Sequence, residues 1–382
     1  NFQRSMEEKA SAARGKLLRS TALMTAALAG PVVAAMNFES AMADVRKVVD
    51  FETPQQFKEM SKDILDLSKR IPMAAKGLAD IVAAAGQSGI AREDLISFAE
   101  DAAKMAIAFD ISAEEAGTMM AQWRVAFKMP QKEVIRLADQ VNFLSNNVNA
   151  TAPQISSILT RIGPLGKIAG VSAADVAALG ATVKAAGIES EVAATGLKNF
   201  ILRLSSGASA TNKQKEAFKS LGLSAAEMSK LMQKDARQAI ITVLKALQKV
   251  PEHAQTAILT EIFGRESVSA IAPLITNLGE LEKNFKLVSD ASQYAGSMER
   301  EYEERSKTAA NALRLMTNSI NALAISLGDV LLPPLADAAN SIANVANKIA
   351  KWADAHPKLT KVIVLGTAGL LAFRVAMAAA EF

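Results

Sequence analysis

Four groups of residues in this chain have the types from which catalytic sites are built. Gly86-Gln-Ser88-Gly89 places a serine among glycines. A nucleophile elbow needs Gly-x-Ser-x-Gly on a strand-to-helix turn, with a histidine to follow. The spacing here is wrong and no strand pattern precedes it, so the segment is expected to be a turn between helices. Phe263-Gly264-Arg265-Glu266-Ser267 could form a catalytic loop but reads better as a tight break, with Glu266 or Ser267 near a helix start. Glu299, Glu301, Glu303 and Glu304 alternate with Arg300 and Arg305. Paired acids suit glycoside hydrolysis only at a fixed separation across a rigid cleft; interleaved with arginine on one helix, they are expected as i,i+4 ion pairs on a wet face. The two histidines, His253 and His356, are far apart, and the chain has no cysteine. Disulfides and thiolate metal sites are excluded, and metal or triad chemistry has little to work with. No catalytic, cofactor-binding or metal-ligating residue is assigned, no cofactor is expected, and the chain is read as not an enzyme. Trp123 and Trp352 sit at helical spacing among apolar neighbours and are expected in the core.

The elements that would carry these residues are helical throughout. Of 382 residues, 50% are hydrophobic and 5% aromatic, and much of the apolar content is alanine, which favours helix but buries little area per residue. Start signals stand at Thr53-Pro54, Ile71-Pro72, Met129-Pro130 and Val250-Pro251, and as capping boxes at Ser112–Glu115, Ser172–Asp175 and Ser224–Glu227. Gly86, Gly89, Gly170, Gly187, Gly222 and Gly279 are expected at C-caps or between helices. The fold class is all-α: a bundle of short and medium helices, most of roughly 10–18 residues. From Tyr294 onward a capped start leads into one long helix of about 30 residues, ending near the double proline Pro333-Pro334, which no helix interior tolerates.

An internal duplication is legible. Shifting the chain by 81 residues superposes two segments without a gap. Leu78 falls on Leu159, Ile81 on Ile162, Gly89-Ile90 on Gly170-Val171, Asp94 on Asp175, Phe98 on Leu179, Ala113 on Ala194 and Met120 on Ile201. This predicts the same three-helix arrangement around 78–120 and 159–201. The domain reading follows: residues 1–50 an N-terminal helical arm, 51–205 the duplicated bundle, and 206–295 a second helical group after the loose Ser205–Ser209 linker. Residues 296–355 hold the long helix, the double proline and a following helix, and 356–382 begin a hydrophobic segment.

Charge points to no partner. The balance is 43 basic against 39 acidic residues, a net charge of +4, spread out except in the first twenty residues, where Arg4, Lys9, Arg14, Lys16 and Arg19 face only Glu7 and Glu8. A nucleic-acid binder would concentrate its charge; this stretch reads as a solvated helix face. Thr21–Phe38 is uncharged but broken by Pro31, and is read as a buried or partner-facing helix rather than a signal peptide. Val362–Phe373 is uncharged and followed by Arg374. It falls short of the ~20 apolar residues of a bilayer span, but its Leu, Ile and Val content and Gly366-x-x-Gly369 tip it towards a membrane-capable segment. The chain starts at Asn1 without methionine and stops inside an apolar run, as an excerpt of a longer polypeptide would.

Ordered blocks complete the reading: Phe38-Glu39…Met42-Ala-Asp44-Val45, Gly86-Gln-Ser-Gly-Ile90, Phe98-Ala…Ala102-Ala-Lys104-Met105, Leu144-Ser-Asn-Asn147, Ala193-Ala-Thr-Gly196-Leu197, Ile262-Phe-Gly264, Gly296-Ser-Met298 and Trp352…His356-Pro357. In this order and spacing, over about residues 37–357, the chain resembles the core region of phage tail tape measure proteins. The resemblance implies a protein in the virion, in the tail tube lumen of a long-tailed phage or phage-like particle, setting tail length during assembly and leaving ahead of DNA to meet the host inner membrane. The partners it implies are the tail tube protein, tail assembly chaperones, baseplate or tip hub proteins and further copies of itself as a homo-oligomer, with no sequence-specific nucleic acid. Two other readings are a membrane-active helical pore-former unrelated to phage tails, which liposome leakage would reveal, and a generic nucleic-acid binder, which a steep salt dependence would reveal.

Overall fold

The computed structural model describes residues 33–326, and among them all regular structure is helical, with no strand. The basic first twenty residues, Pro31, Pro333-Pro334, Trp352, His356 and the apolar run from Val362 lie outside the described residues. The helices are α1 (33–48), α2 (Pro54–Ser68), α3 (Ala75–Gln87), α4 (Leu95–Phe109), α5 (Ala113–Phe127) and α6 (Gln131–Ser145). There follow α7 (Ala152–Ile168), α8 (Ala173–Ala185), α9 (Ser190–Leu204), α10 (Asn212–Ser220), α11 (Ala225–Lys234) and α12 (Ala236–Gln248). Last come α13 (Glu252–Phe263), α14 (Val268–Thr276), α15 (Leu278–Leu287), α16 (Ala291–Tyr294), α17 (Ser297–Ser306) and α18 (309–326). Residues 37–322 form one compact unit.

Caps decide where these helices begin. Thr53, Thr151 and Thr211 each accept the N–H three residues on, and Gln56, Gln154 and Gln214 return the bond to the cap. Ser112, Ser172 and Ser224 make the hydroxyl half of the expected boxes. Two glycines differ from expectation. Gly86 lies inside α3 and Gly279 inside α15. A Cβ on Gly86 would come within 2.6 Å of Val49, so this glycine serves close packing rather than a turn. Pro72 also precedes its helix by more than expected, since α3 is capped at Ala74. The Ser205–Ser209 stretch is not a loose linker: Gly207–Ser209 is a 3-10 turn, Gly207 and Ala210 are buried, and Ser229 Oγ donates to the Ser205 carbonyl at 2.9 Å.

The 81-residue offset survives at the level of single hydrogen bonds. The end of α3 is closed by N–H groups of Ser88, Gly89 and Ile90 donating to Ala84, Gly86 and Ala85. The end of α7 is closed by Ala169, Gly170 and Val171 donating to Leu165, Lys167 and Gly166, the same pattern. Gly89 and Gly170 both take positive φ, +76° and +82°, which a glycine adopts without steric cost. Within each set the three helices pack on one another. Leu78 and Leu159, Phe98 and Leu179, and Met120 and Ile201 are all fully buried. The third helix differs: α5 starts at Ala113, whereas α9 starts at Ser190, one turn before the position equivalent to Ala113. In the first set the turn forms at Asp110 (φ +57°); in the second Gly187 (φ +87°) forms it one turn earlier. The offset therefore holds for interior positions and fails at that loop.

The largest fully buried side chains are Phe98, Trp123, Phe200, Phe218 and Phe263, set among buried Leu, Ile and Val residues and many alanines. Trp123 is core as expected, its Nε1 donating to Thr160 Oγ1 at 2.9 Å. Small residues let the helices approach closely: a Cβ at Gly196 on α9 would stand 2.3 Å from Ala270 Cβ on α14.

The two equivalent turn glycines allow a test. Nothing lies within 4 Å of a Cβ built at Gly89, whereas one at Gly170 would meet the Met232 carbonyl at 2.4 Å. Gly89→Ala should cost only left-handed strain, about 1–2 kcal/mol. Gly170→Ala adds a clash against the backbone of α11 and should cost about twice as much or more, read from urea denaturation midpoints. Equal losses would show that the Gly170 turn is not held against α11.

Candidate functional site

The expected single helix after Tyr294 is two helices. Lys307 closes α17, and Thr308 restarts the chain as the cap of α18. The Thr308 hydroxyl accepts the Asn311 N–H at 3.4 Å and donates to the Arg305 carbonyl at 2.9 Å. Asn311 Nδ2 also donates to that carbonyl, at 2.7 Å. Side chains thus satisfy backbone groups that a continuous helix would have paired internally. What lies beyond 326 is outside the described residues.

The start of α17 is held from a distant helix. Gly296 takes φ +72°, and the Asp139 carboxylate of α6 accepts N–H bonds from Gly296 and Met298, both at 2.9 Å. A carboxylate is the group that a helix N-terminus stabilises, because its first N–H groups lack internal partners. Asn142, one turn on, donates to the Ser297 carbonyl at 3.1 Å and its Oγ at 2.9 Å, and Gln140 donates to the Val288 carbonyl at 2.7 Å. Asp139, Gln140, Asn142 and Ser297 are all buried. Farther on, Asn318 of α18 donates to the Ser68 and Met73 carbonyls, at 3.0 and 2.7 Å, which ties α18 to the loop between α2 and α3.

The acidic cluster divides its work. Glu301 pairs with Arg305 at 2.9 Å (i,i+4) and Glu304 with Lys307 at 2.8 Å (i,i+3), as an exposed helix face would. Glu299 instead reaches Lys104 on α4 at 3.0 Å, and Lys104 also meets Glu100 at 3.5 Å. Burial works against the Lys104 ammonium, but the two glutamates overcome it and hold its pKa above the ordinary value. Burial pushes the Asp139 carboxyl up, against its two N–H bonds and the positive Arg300.

The remaining motifs have structural places. Ser88 donates to the Ala84 carbonyl at 2.9 Å, at the end of α3. Gly264, at φ +90°, ends α13, and a 3-10 turn, Arg265–Ser267, leads into α14. Ser267 donates to the Phe263 carbonyl and accepts from Asn199. His253 lies in the first turn of α13. Among the described residues no group of His, Asp and Glu could hold a metal ion. A cleft of about 860 Å³ beside α18 is lined by Pro72, Met73, Ile107, Ile111, Arg305 and Asn318 among others. Sequence reading missed Asp139, Gln140, Asn142 and Asn318. The one available signal was that Asp139, Gln140 and Asn142 interrupt the apolar run Leu137, Ala138, Val141 and Leu144.

Among the described residues the segments at Gly86–Gly89, Phe263–Ser267 and Gly296–Met298 thus serve turns, caps and packing, and the comparisons give the chain a family. The model of the family described as phage-related minor tail protein matches residues 61–264, more than half of the chain. The chain belongs to the phage-related minor tail protein family. It is 37% identical over 383 aligned positions to a probable tape measure protein of Halomonas phage phiHAP-1, an alignment covering 97% of this chain and 44% of that protein. It is 29% identical over 187 positions to a probable tape measure protein of Escherichia phage P2, covering 47% of this chain and 22% of that one. The chain therefore spans less than half the length of these relatives. No solved structure matches.

Removing the Asp139 carboxylate should release α17. Asp139→Ala leaves two N–H groups without their partner and should cost about 2–6 kcal/mol, at roughly 1–3 per buried orphan, measured by urea unfolding. The pH dependence has a definite sign. A carboxyl with a raised folded pKa binds more protons folded than unfolded, so its contribution is greatest below the ordinary Asp range, about pH 4, and falls as pH rises through the raised value. The stability of wild type relative to Asp139→Asn should therefore decline with rising pH from about 4 and then level off. A rise over that window would mean that the N–H bonds outweigh burial.

Proposed function

We propose that this chain is part of a tail tape measure protein, which occupies the tail tube lumen, sets tail length during assembly and leaves ahead of DNA to interact with the host inner membrane. The observation that carries the reading is the 37% identity across 97% of this chain to a probable tape measure protein. Family membership argues against a pore-former unrelated to phage tails. In this reading the partners are the tail tube protein, assembly chaperones, baseplate or tip hub proteins and further copies of the chain. Contact with the membrane falls to the segment from Val362; among the described residues no helix is long and apolar enough to cross a membrane. We propose also that the 81-residue offset is a true duplication, with 51–205 and 206–295 as successive helical groups of the protein.

A ruler and a compact unit predict different lengths. As one continuous helix, residues 37–322 would span about 430 Å at 1.5 Å per residue. As a compact unit of the same size they would be only about 50 Å across. An in-frame deletion of these residues from the phage gene should shorten tails, measured by electron microscopy, by the smaller amount, because the buried core described above favours the compact form. Shortening by the larger amount would show that the segment is stretched in the tail. Tails of unchanged length would remove this segment from the ruler.

A further inference from the structure

We propose that residues 335–352 of this chain fold back along α18 as a helix and cover its exposed face of Leu313, Met316 and Ile320, the two forming an antiparallel hairpin about Pro333-Pro334. The starting observation is a helix with two faces. One face packs on the body: Asn318 is 6% exposed and Ala322 2%. On the other, Leu313, Met316, Ile320 and Leu323 are 58%, 55%, 59% and 63% exposed. Residues spaced this way follow the 3–4 rhythm of a heptad seam, whose a and d positions insert into a facing helix. In the sequence the rhythm runs on through Leu327 and Val330 to the double proline. In heptad terms Asn318 holds the f position, opposite the seam, and it is the residue tied to the Ser68 and Met73 carbonyls. Docking to the body therefore leaves the seam pointing away from it.

Sequence register chooses the occupant. Past the double proline, outside the described residues, the same rhythm restarts as Leu335, Ala338, Ile342, Val345, Ile349 and Trp352. Between 335 and 352 every charged residue (Asp337, Lys348 and Lys351) and every asparagine falls off that stripe. The two stripes are mirror images about the Leu332–Pro333 bond. Val330 and Leu335 stand equally far from it, and so does each further pair out to Leu313 and Trp352. A chain that reverses there sets every residue of one stripe opposite its counterpart in the other, the contact that knobs and holes require. Residues 331–334 provide the connection, within the about 2–5 residues that join antiparallel helices. Pro333 ends one helix, and Pro334 suits the first turn of the next. A helix from another molecule would have no reason to keep register with this turn. So short a connection also gives the chain's own segment an effective concentration on the order of millimolar. Trp352 then packs against Leu313, and none of this rests on the tape measure reading.

The test uses the full chain, which has no cysteine. In Ile320→Cys/Val345→Cys the two thiols face each other across the seam, whereas in Ile320→Cys/Asn347→Cys the second lies on the outer face of its helix. A short bismaleimide should link the first pair at least tenfold faster than the second, in a species of monomer mass and at a rate independent of protein concentration. Met316→Cys/Ile349→Cys should behave as the first pair does. Alone, the thiol of Ile320→Cys should be protected from a monofunctional maleimide. Adding Val345→Glu should raise its reactivity at least tenfold with helical dichroism unchanged, and adding Asn347→Glu should leave it protected. Equal linking of the two pairs, or a reactivity indifferent to Val345→Glu, overturns the proposal. Linking confined to a species of dimer mass also overturns it, and would mean that a second copy covers the face. None of these outcomes bears on tail length in the deletion experiment, so the hairpin and the ruler can fail separately.

Discussion

The Asp139 carboxylate at the start of α17 is the contact on which the C-terminal part of the described unit depends. It joins residues 157 and 159 positions apart in sequence, and its partners are backbone N–H groups rather than side chains. That explains why Gly296 matters: the left-handed φ there turns both amides towards one carboxylate. Asn142 fixes the same segment through a carbonyl and a hydroxyl. Since the two side chains lie three residues apart on α6, they share a face, and the turn is gripped as a unit.

The rest of the unit is held differently. Alanine and glycine at the crossings let helices approach closely, and many weak contacts replace a few large ones. Gly196 against Ala270 and Gly86 against Val49 are places where one added methyl group would force the helices apart. Buried polar ties add register to this smooth packing: Asn284 Nδ2 donates to Thr182 Oγ1 between α15 and α8, Gln214 to the Ile262 carbonyl, and Arg237 meets Asp175 at 2.5 Å. Alanine surfaces slide easily on one another, and a buried hydrogen bond that fits only one arrangement prevents it.

The helices themselves were largely legible, because caps and turn glycines act locally. Thr53, Ser112, Gly170 and Gly264 do what their residue types dictate over four residues of chain. The misreadings have a common origin in contacts that are not local. Gly86 looks like a break, but a glycine chosen for packing has the same letter as one chosen for φ; Gly279, inside α15, has open space where a Cβ would stand, and nothing in the structure explains it. Ser205–Ser209 has the composition of a linker and is held by Ser229, which no local pattern reveals. The split between α17 and α18 was readable after all, since Thr308 is a cap residue; the helix-favouring Glu, Arg and Lys before it and the alanines after it concealed it. The Asp139 site was the least legible, because a carboxylate that caps a helix over 150 residues away looks like any polar residue on its own helix.

The balance of forces also differs along the unit. On α17 only Ser297 and Met298 are buried, whereas α8 is buried along nearly its whole length. A hydrogen bond exchanged with water contributes only about 0.5–1.5 kcal/mol net, while each fully buried Leu or Val contributes about 1.5–3. The α17–α18 arm is therefore attached by a few specific bonds that water can replace, and the three-helix sets are held by apolar burial that it cannot. Local opening follows the weaker attachment. Detaching the arm would expose Asp139 and Asn142 to solvent that satisfies them, together with the buried Met298 and Ala322. Separating α8 from α7 and α9 would expose Val176, Leu179 and Val183 together. The arm bearing the Leu313–Ile320 stripe can thus change its surroundings while the bundle beneath it stays folded.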